Sequence, residues 1–187
     1  MSRRDLGATL LLVAAVAAAM QRKPSVTVRI EDVPTKEDGT LPTAYEVAMQ
    51  LPKGSREREA ILTALTLWGE ARGEDELGRK AVASVIVNRT NDRRWGNLFE
   101  DVVMQKWQFE PWNEGTAARR KLEAVTIDDR TFQQVLRIAE KAVDGVLEDV
   151  TNGADHFFAT WMTGVPTWAA KAVASLTIGR HRFLRIP

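Results

Sequence analysis

A stretch of seven residues that is apolar on nearly every side most strongly constrains how this chain folds. Residues 81–87 read AVASVIV, in which one hydroxyl is the only polar side-chain group. A helix that is apolar all round is stable only when other elements cover it on every side. The sequence therefore predicts a helix over residues 75–88 at the centre of a globular domain.

Apolar residues at helical spacing predict three more helices. The first ends at Gly69 and places Glu70 at its carboxyl end, the second covers residues 98–105, and the third is a long amphipathic helix over residues 131–147. The apolar positions of the first helix are Ile61, Leu62, Leu65 and Trp68. The inner face of the third consists of Phe132, Val135, Leu136, Ala139, Val143 and Val146.

Two short strands are predicted late in the chain. Residues 155–159 (DHFFA) and 176–186 (LTIGRHRFLRI) are rich in aromatic and β-branched residues, and we expect them to pair. The sequence thus predicts a mainly α fold with a small β-sheet, in the α+β class.

The amino terminus is typical of a signal sequence. Arg3 and Arg4 precede the uncharged run of residues 6–20, which is rich in alanine and ends in an A-x-A-like pattern. A permanent membrane span needs about 20 apolar residues, so this run is short for one. We predict that residues 1–20 meet the inner membrane or the export machinery, either cleaved or retained as an anchor through residues 6–20. The alternative is a buried helix of the main domain.

A proline-spaced linker is predicted between this segment and the domain. Residues 21–55 contain prolines at 24, 34, 42 and 52, which interrupt any long element, although residues 45–51 have room for one or two helical turns. All six tryptophans follow this linker. The predicted functional domain is residues 56–187.

Composition excludes several functions. The 26 basic and 25 acidic residues give a net charge of only +1, which lacks the positive field of a nucleic-acid binder. The chain has no cysteine, so disulfides, thiolate zinc sites and cysteine nucleophiles are excluded. No GxSxG element, P-loop or GxGxxG motif occurs. The sequence predicts neither a nucleic-acid partner nor a cofactor.

The segment WGEARGE, residues 68–74, contains the first candidate for catalysis. Glu70 follows an apolar helix and an indole, and a carboxyl that loses water there has a raised pKa, as a general acid requires. If the helix continued, Glu74 would lie on the same face and serve as a second carboxylate. The alternative is that both are solvated charges at a helix end.

The loop WQFEPWNEG, residues 107–115, is the second candidate. Sugar-binding clefts combine flat aromatic rings with amide side chains, which makes Gln108, Phe109, Trp112 and Asn113 candidate sugar contacts. The alternative is that the aromatic residues cap the core. His156 and His181, the only histidines, lack a metal-ligand spacing, so no metal site is predicted.

Six fragments in one order resemble the spore-cortex-lytic (SleB/CwlJ-type) cell-wall hydrolase family. They are WGEARGE, GRKAVASVIVNR, QFEPWNEG, GADHFF, PTWA and IGRHRF, and they span roughly residues 61–185. The resemblance implies a lysozyme-like domain that cleaves peptidoglycan glycan strands without a metal or organic cofactor. It implies that Glu70, the first glutamate of EARGE, is the general acid.

The resemblance also implies a set of sugar contacts. Counterparts of the family's QFS-x-W loop are Gln108, Phe109 and Trp112, with Glu110 where serine is usual. The full predicted set is Gln108, Phe109, Trp112, Asn113, His156, Trp168 and His181.

The favoured hypothesis is an exported lytic transglycosylase of the periplasm or cell envelope that uses Glu70 and forms a 1,6-anhydro product. Alternatives are a muramidase using Glu70 and Glu74, a metal-dependent wall amidase using His156 and His181, and a non-catalytic wall-binding or virion protein. The short anchor and single domain suggest a phage lysis or infection enzyme, such as an endolysin, or a bacterial housekeeping enzyme.

Overall fold

A computed structural model of the chain describes residues 33–92 and 94–187. The predicted export segment 1–20 and the first part of the predicted linker lie outside the described residues. Within the described ranges, no helix is both long and apolar enough to cross a membrane.

Six α-helices precede a small sheet in the described chain. The helices are α1 (Ala44–Gln50), α2 (Arg56–Ala71), α3 (Glu76–Thr90), α4 (Phe99–Val103), α5 (Ala117–Glu123) and α6 (Arg130–Val143). The strands are β1 (His156–Ala159), β2 (Ala174–Ile178) and β3 (His181–Arg185). Two short 3-10 helices cover Glu110–Trp112 and Thr167–Lys171. The predicted mainly α fold with a small sheet is confirmed.

Helix α3 is buried along most of its length, as its apolar sequence predicts. Val82, Val85 and Ile86 have no exposed surface. Helix α2 is buried to the same degree, because α1, α3, α4 and α6 all pack against it. The centre of the domain is therefore shared by two helices, and the carboxyl end of α2 is held by its neighbours.

The prediction of a linker through residue 55 is wrong at its carboxyl end. Thr43 caps α1 by accepting a hydrogen bond from the Glu46 backbone N–H, while the Glu46 side chain accepts one from the Thr43 backbone N–H. Ala44 and Val47 then pack against the core with no exposed surface. The short apolar stripe of α1 makes it part of the domain despite the prolines on either side.

The amphipathic helix α6 ends earlier than its apolar spacing predicts. Asp144 caps the helix and Gly145 follows with φ of +70°, a left-handed conformation that stops helices. Val146 lies beyond this stop and is 70% exposed, so its predicted place on the inner face is wrong. Phe132, Val135 and Leu136 are fully buried as predicted.

The sheet has three antiparallel strands in the order β1-β3-β2. The predicted pairing is confirmed, since Phe157 lies opposite Phe183, but the second predicted strand is two strands joined at Gly179. Side chains alternate between the faces of a sheet. Phe157, His181 and Phe183 therefore share the inner face, whereas His156 points from the opposite face.

Candidate active site

Glu70 lies in the last turn of α2, where a loop presses against the helix. A β-carbon at Gly69 would overlap the ring of Pro111, so only glycine allows this approach. The contact brings the Glu110 backbone N–H to 3.1 Å from Glu70 Oε1, to which it donates a hydrogen bond. Gly69 thus contributes to the site by letting the loop cover the carboxyl.

Burial raises the pKa of Glu70 from its usual 4.5 to about 7. The nearby Glu110 carboxylate raises the pKa further, while the Glu110 N–H and the Arg89 cation oppose the rise. A carboxyl with a pKa near 7 is substantially protonated at neutral pH and can also release its proton. Glu70 therefore has the properties of a general acid that becomes a base.

The indole of Trp68 is turned toward α6. Its Nε1–H donates to Asp129 Oδ1 at 3.1 Å, on the side of α2 that meets α6. Residues two apart on a helix do not face each other. On the Glu70 side of the helix, the loop at Glu110 and Pro111 packs against Gly69 and contacts the Glu70 carboxyl.

Arg89 is a buried cation next to Glu70 that sequence reasoning missed. Its guanidinium lies 4.1 Å from the Trp95 ring centroid and 5.2 Å from that of Phe109, and its Nε–H donates to the Asp155 carbonyl at 2.6 Å. The residue is 4% exposed, and its Nη1 is buried without a hydrogen-bond partner. An arginine two positions after the apolar run 81–87 was the signal available in the sequence. Its charge favours the ionised form of Glu70.

Replacing Glu70 with Gln is expected to stabilise the fold at alkaline pH. Because the folded protein binds the Glu70 proton more tightly than the unfolded chain does, stability falls as pH rises from about 4.5 to about 7. At about 1.36 kcal/mol per pKa unit, the variant should gain up to about 3 kcal/mol over wild type at pH 8 and nothing at pH 4. Urea unfolding at the two pH values measures this, with Glu114→Gln as the control. An equal difference at both pH values would contradict it.

An open cleft of about 880 Å³ lies over Glu70. Glu70, Arg89, Gln108 and Glu110 line one side, and the β1–β2 loop with its 3-10 helix lines the other. Three predicted sugar contacts, Gln108, Trp168 and His181, line this cleft together with Glu70. The volume is in the range that binds small ligands or short polymer segments.

Two other predicted sugar contacts belong to the core. Phe109 is 1% exposed and Trp112 is 7% exposed, and the Trp112 Nε1–H donates to the Thr66 hydroxyl at 2.8 Å inside the domain. Both rings cap the core beneath the loop, which was the alternative that the sequence left open, and their prediction as sugar contacts is corrected.

Asn113 and His156 support the cleft rather than line it. Asn113 Oδ1 accepts a hydrogen bond from the Trp107 N–H at 3.2 Å and so shapes the loop. The His156 ring lies 5.4 Å from the Trp95 ring and 5.1 Å from the Trp168 ring, with its Nδ1 2.9 Å from Asp155 Oδ1. His156 therefore holds Trp168 in place.

Glu74 joins two loops instead of facing the cleft. It accepts hydrogen bonds from the Arg180 backbone N–H at 3.2 Å and the Arg180 Nε–H at 3.1 Å, and it is 7% exposed. Because α2 ends at Ala71, Glu74 does not share a helix face with Glu70. The carboxylate instead fastens the β2–β3 turn to the loop between α2 and α3.

The two histidines do not form a ligand pair. His156 and His181 point from opposite faces of the same sheet, as the strand register requires. Among the residues that the structure describes, no group of three or more His, Asp or Glu side chains is placed to hold a metal ion. This geometry does not support the metal-dependent amidase.

Together the fold and the site define a class of mainly helical domains that place one carboxyl of raised pKa in an open cleft. Residues 73–184 match the cell wall hydrolase family, and the chain belongs to that family. Glu70 lies three residues before the matched range.

Curated proteins are similar to this chain over a longer stretch than the family match. The chain is 28% identical to a spore cortex-lytic enzyme of Halalkalibacterium halodurans over 82% of its length and 42% of that protein's. It is 30% identical to a spore cortex-lytic enzyme of Bacillus cereus over 72% of its length and 47% of that protein's. The chain thus spans less than half the length of these curated relatives.

Two solved structures share the fold. The catalytic domain of the Bacillus cereus SleB protein superposes with a TM-score of 0.55 at 26% identity, covering 72% of this chain and 95% of that domain. The catalytic domain of the germination-specific lytic transglycosylase SleB from Bacillus anthracis gives a TM-score of 0.54 at 25% identity, covering 72% of this chain and all of that domain. The family assignment and the fold therefore agree.

Proposed function

We propose that this chain is a lytic transglycosylase that cuts peptidoglycan between N-acetylmuramic acid and N-acetylglucosamine. The observation that carries the proposal is Glu70, a carboxyl with a pKa of about 7 in an open cleft. The likeness to a domain described as a lytic transglycosylase supports it.

The proposed reaction uses Glu70 twice. Protonated Glu70 donates its proton to the glycosidic oxygen, and the bond from that oxygen to C1 of N-acetylmuramic acid breaks. The resulting carboxylate then takes the proton of the 6-hydroxyl of the same N-acetylmuramic acid, while the oxygen of that 6-hydroxyl forms a bond to C1. The products are a 1,6-anhydro end and a free 4-hydroxyl, and Glu70 is protonated again. The Arg89 charge stabilises the Glu70 carboxylate between the two steps.

Hydrolysis of the same bond is the second candidate function, and it would require a second carboxylate besides Glu70. A glycoside hydrolase uses two carboxylates, one as acid and one as base or nucleophile. Glu74 is engaged by Arg180 and does not line the cleft, whereas Glu110 lines the cleft beside Glu70. The muramidase alternative is therefore better supported with Glu110 than with Glu74 as the second group.

Product analysis separates these reactions. We expect the full chain to release fragments with anhydro-muramyl ends from purified peptidoglycan, as read by mass spectrometry. Glu70→Gln should release none, and Glu110→Gln should release the same fragments as wild type. Reducing muramyl ends that vanish in Glu110→Gln would instead establish hydrolysis. Free peptides would indicate an amidase, and no product at all would indicate a wall-binding protein.

We also propose that residues 1–20 export the chain, because its substrate lies outside the inner membrane. Sequencing the amino terminus of the protein recovered from the cell envelope would distinguish cleavage from a retained anchor. The phage role stays a prediction.

A further inference from the structure

Apolar side chains are exposed on the loop between β1 and β2. Trp161 is 62% exposed, Met162 51% and Val165 66%. All three line the cleft that contains Glu70. Contiguous exposed apolar surface inside a cleft is typical of a ligand-binding wall, because leaving it in water costs free energy that a ligand recovers.

The Trp161 ring packs against two neighbouring side chains, Arg180 and His181. The Arg180 guanidinium carbon lies 5.4 Å from its ring centroid, and the His181 ring centroid lies 5.8 Å away. Arg180 is fastened by its hydrogen bonds to Glu74 Oε1 at 3.1 Å and to the Gly73 carbonyl at 3.3 Å. The indole is therefore oriented before any ligand arrives, while most of its surface stays open.

An indole in this position suits a pyranose ring. The C–H groups on one face of a hexose ring form a flat apolar surface, which packs on an aromatic ring while the hydroxyls remain hydrated. We propose that Trp161 forms a sugar subsite, on which one pyranose of the glycan strand stacks. The inference rests on the proposed function insofar as a glycan occupies the cleft.

A second exposed indole provides a matched comparison. Trp107 is 72% exposed, but it does not line the cleft, and its ring lies 5.6 Å from Lys106 Nζ. If exposure of an indole were all that mattered, replacing Trp107 and replacing Trp161 would weaken glycan binding equally. A subsite at Trp161 predicts an effect only for the residue in the cleft.

Binding and turnover test the subsite separately. In full-length Glu70→Gln protein, Trp161→Ala should weaken binding to a soluble N-acetylglucosamine oligosaccharide and to sedimented peptidoglycan by roughly tenfold. Trp161→Phe should recover most of the loss, and Trp107→Ala should stay within about twofold. In the active enzyme, Trp161→Ala should raise KM about tenfold with kcat changed less than about threefold. Unchanged thermal unfolding of the variants confirms that they fold.

Several outcomes would overturn the subsite. Trp161→Ala binding within twofold of its parent, an equal loss in Trp107→Ala, or no binding by the parent to either polymer would each do so. Cleavage of peptidoglycan with unaltered binding in Trp161→Ala would remove the subsite and leave the proposed function. Selective loss of binding in an enzyme that releases no glycan fragments would leave the subsite and remove the function.

Discussion

Replacing Glu70 with Gln is expected to lower the rate of glycan cleavage by about 10³-fold or more. General acid catalysis contributes roughly 10²- to 10⁴-fold, and the proposed reaction uses this one group in both proton transfers. The amide side chain of the variant would keep the size of the carboxyl and an oxygen to accept the Glu110 N–H, so the change removes little besides the proton. Burial in the cleft raises the pKa of the wild-type carboxyl to about 7, and an amide cannot supply that proton.

The rate is measured by the clearing of a peptidoglycan suspension together with the appearance of new glycan ends. Glu114→Gln is the control, because Glu114 is an exposed residue of the same loop that does not line the cleft. Wild-type activity should also decline as pH rises above about 7, where Glu70 loses its proton. A Glu70→Gln enzyme that retains a tenth of the wild-type rate would refute the assignment of Glu70 as the acid.

Replacing Trp112 with Ala is expected to destabilise the fold by about 3–5 kcal/mol, the usual cost of emptying a large aromatic site in a core. The side chain is 7% exposed, packs 6.2 Å from the Tyr45 ring, and donates a hydrogen bond to the Thr66 hydroxyl. Its loss leaves a cavity between α1, α2 and the loop, and it leaves the buried Thr66 hydroxyl without that donor.

Thermal and urea unfolding measure this loss, which should lower the Tm by on the order of 10 °C. Trp107→Ala is the matched control, since it removes the same side chain from a mostly exposed position of the same loop, and it should change stability by less than about 1 kcal/mol. If Trp112→Ala unfolded like wild type but bound glycan weakly, Trp112 would be a sugar contact after all.

Periodicity predicted the main helices because their burial follows from local spacing. Helices α2 and α6 lie where apolar residues recur every three or four positions, and α3 lies where the chain is apolar on nearly every side. The pattern did not predict where α6 ends, since Val146 continues the spacing past the glycine that stops the helix. It also left α1 inside the predicted linker, because a helix of seven residues flanked by prolines gives a weak periodic signal.

The candidate site was predictable only in part. A glutamate at the end of an apolar helix was visible in the sequence, and so was the aromatic character of the loop near residue 110. Which aromatic rings face inward was not visible, because Trp107 and Trp112 have the same composition signal and opposite exposures. Arg89 and Trp161 went unrecognised, since no local spacing connects either residue to Glu70.

By itself the sequence determined the main helices and the membership in a cell-wall hydrolase family, and it singled out Glu70 as the candidate general acid. Only the tertiary structure decided why the pKa of Glu70 is raised. The pKa of Glu70 is raised mainly by burial, and it is adjusted by the Glu110 N–H and by the charges of Glu110 and Arg89, which come from distant parts of the chain. Helix propensity and periodicity act over a few residues, whereas desolvation depends on everything that packs nearby. Glu74 was likewise misplaced by local spacing. Its position is set by its hydrogen bond with Arg180, which is distant in the sequence, and not by a helix face shared with Glu70.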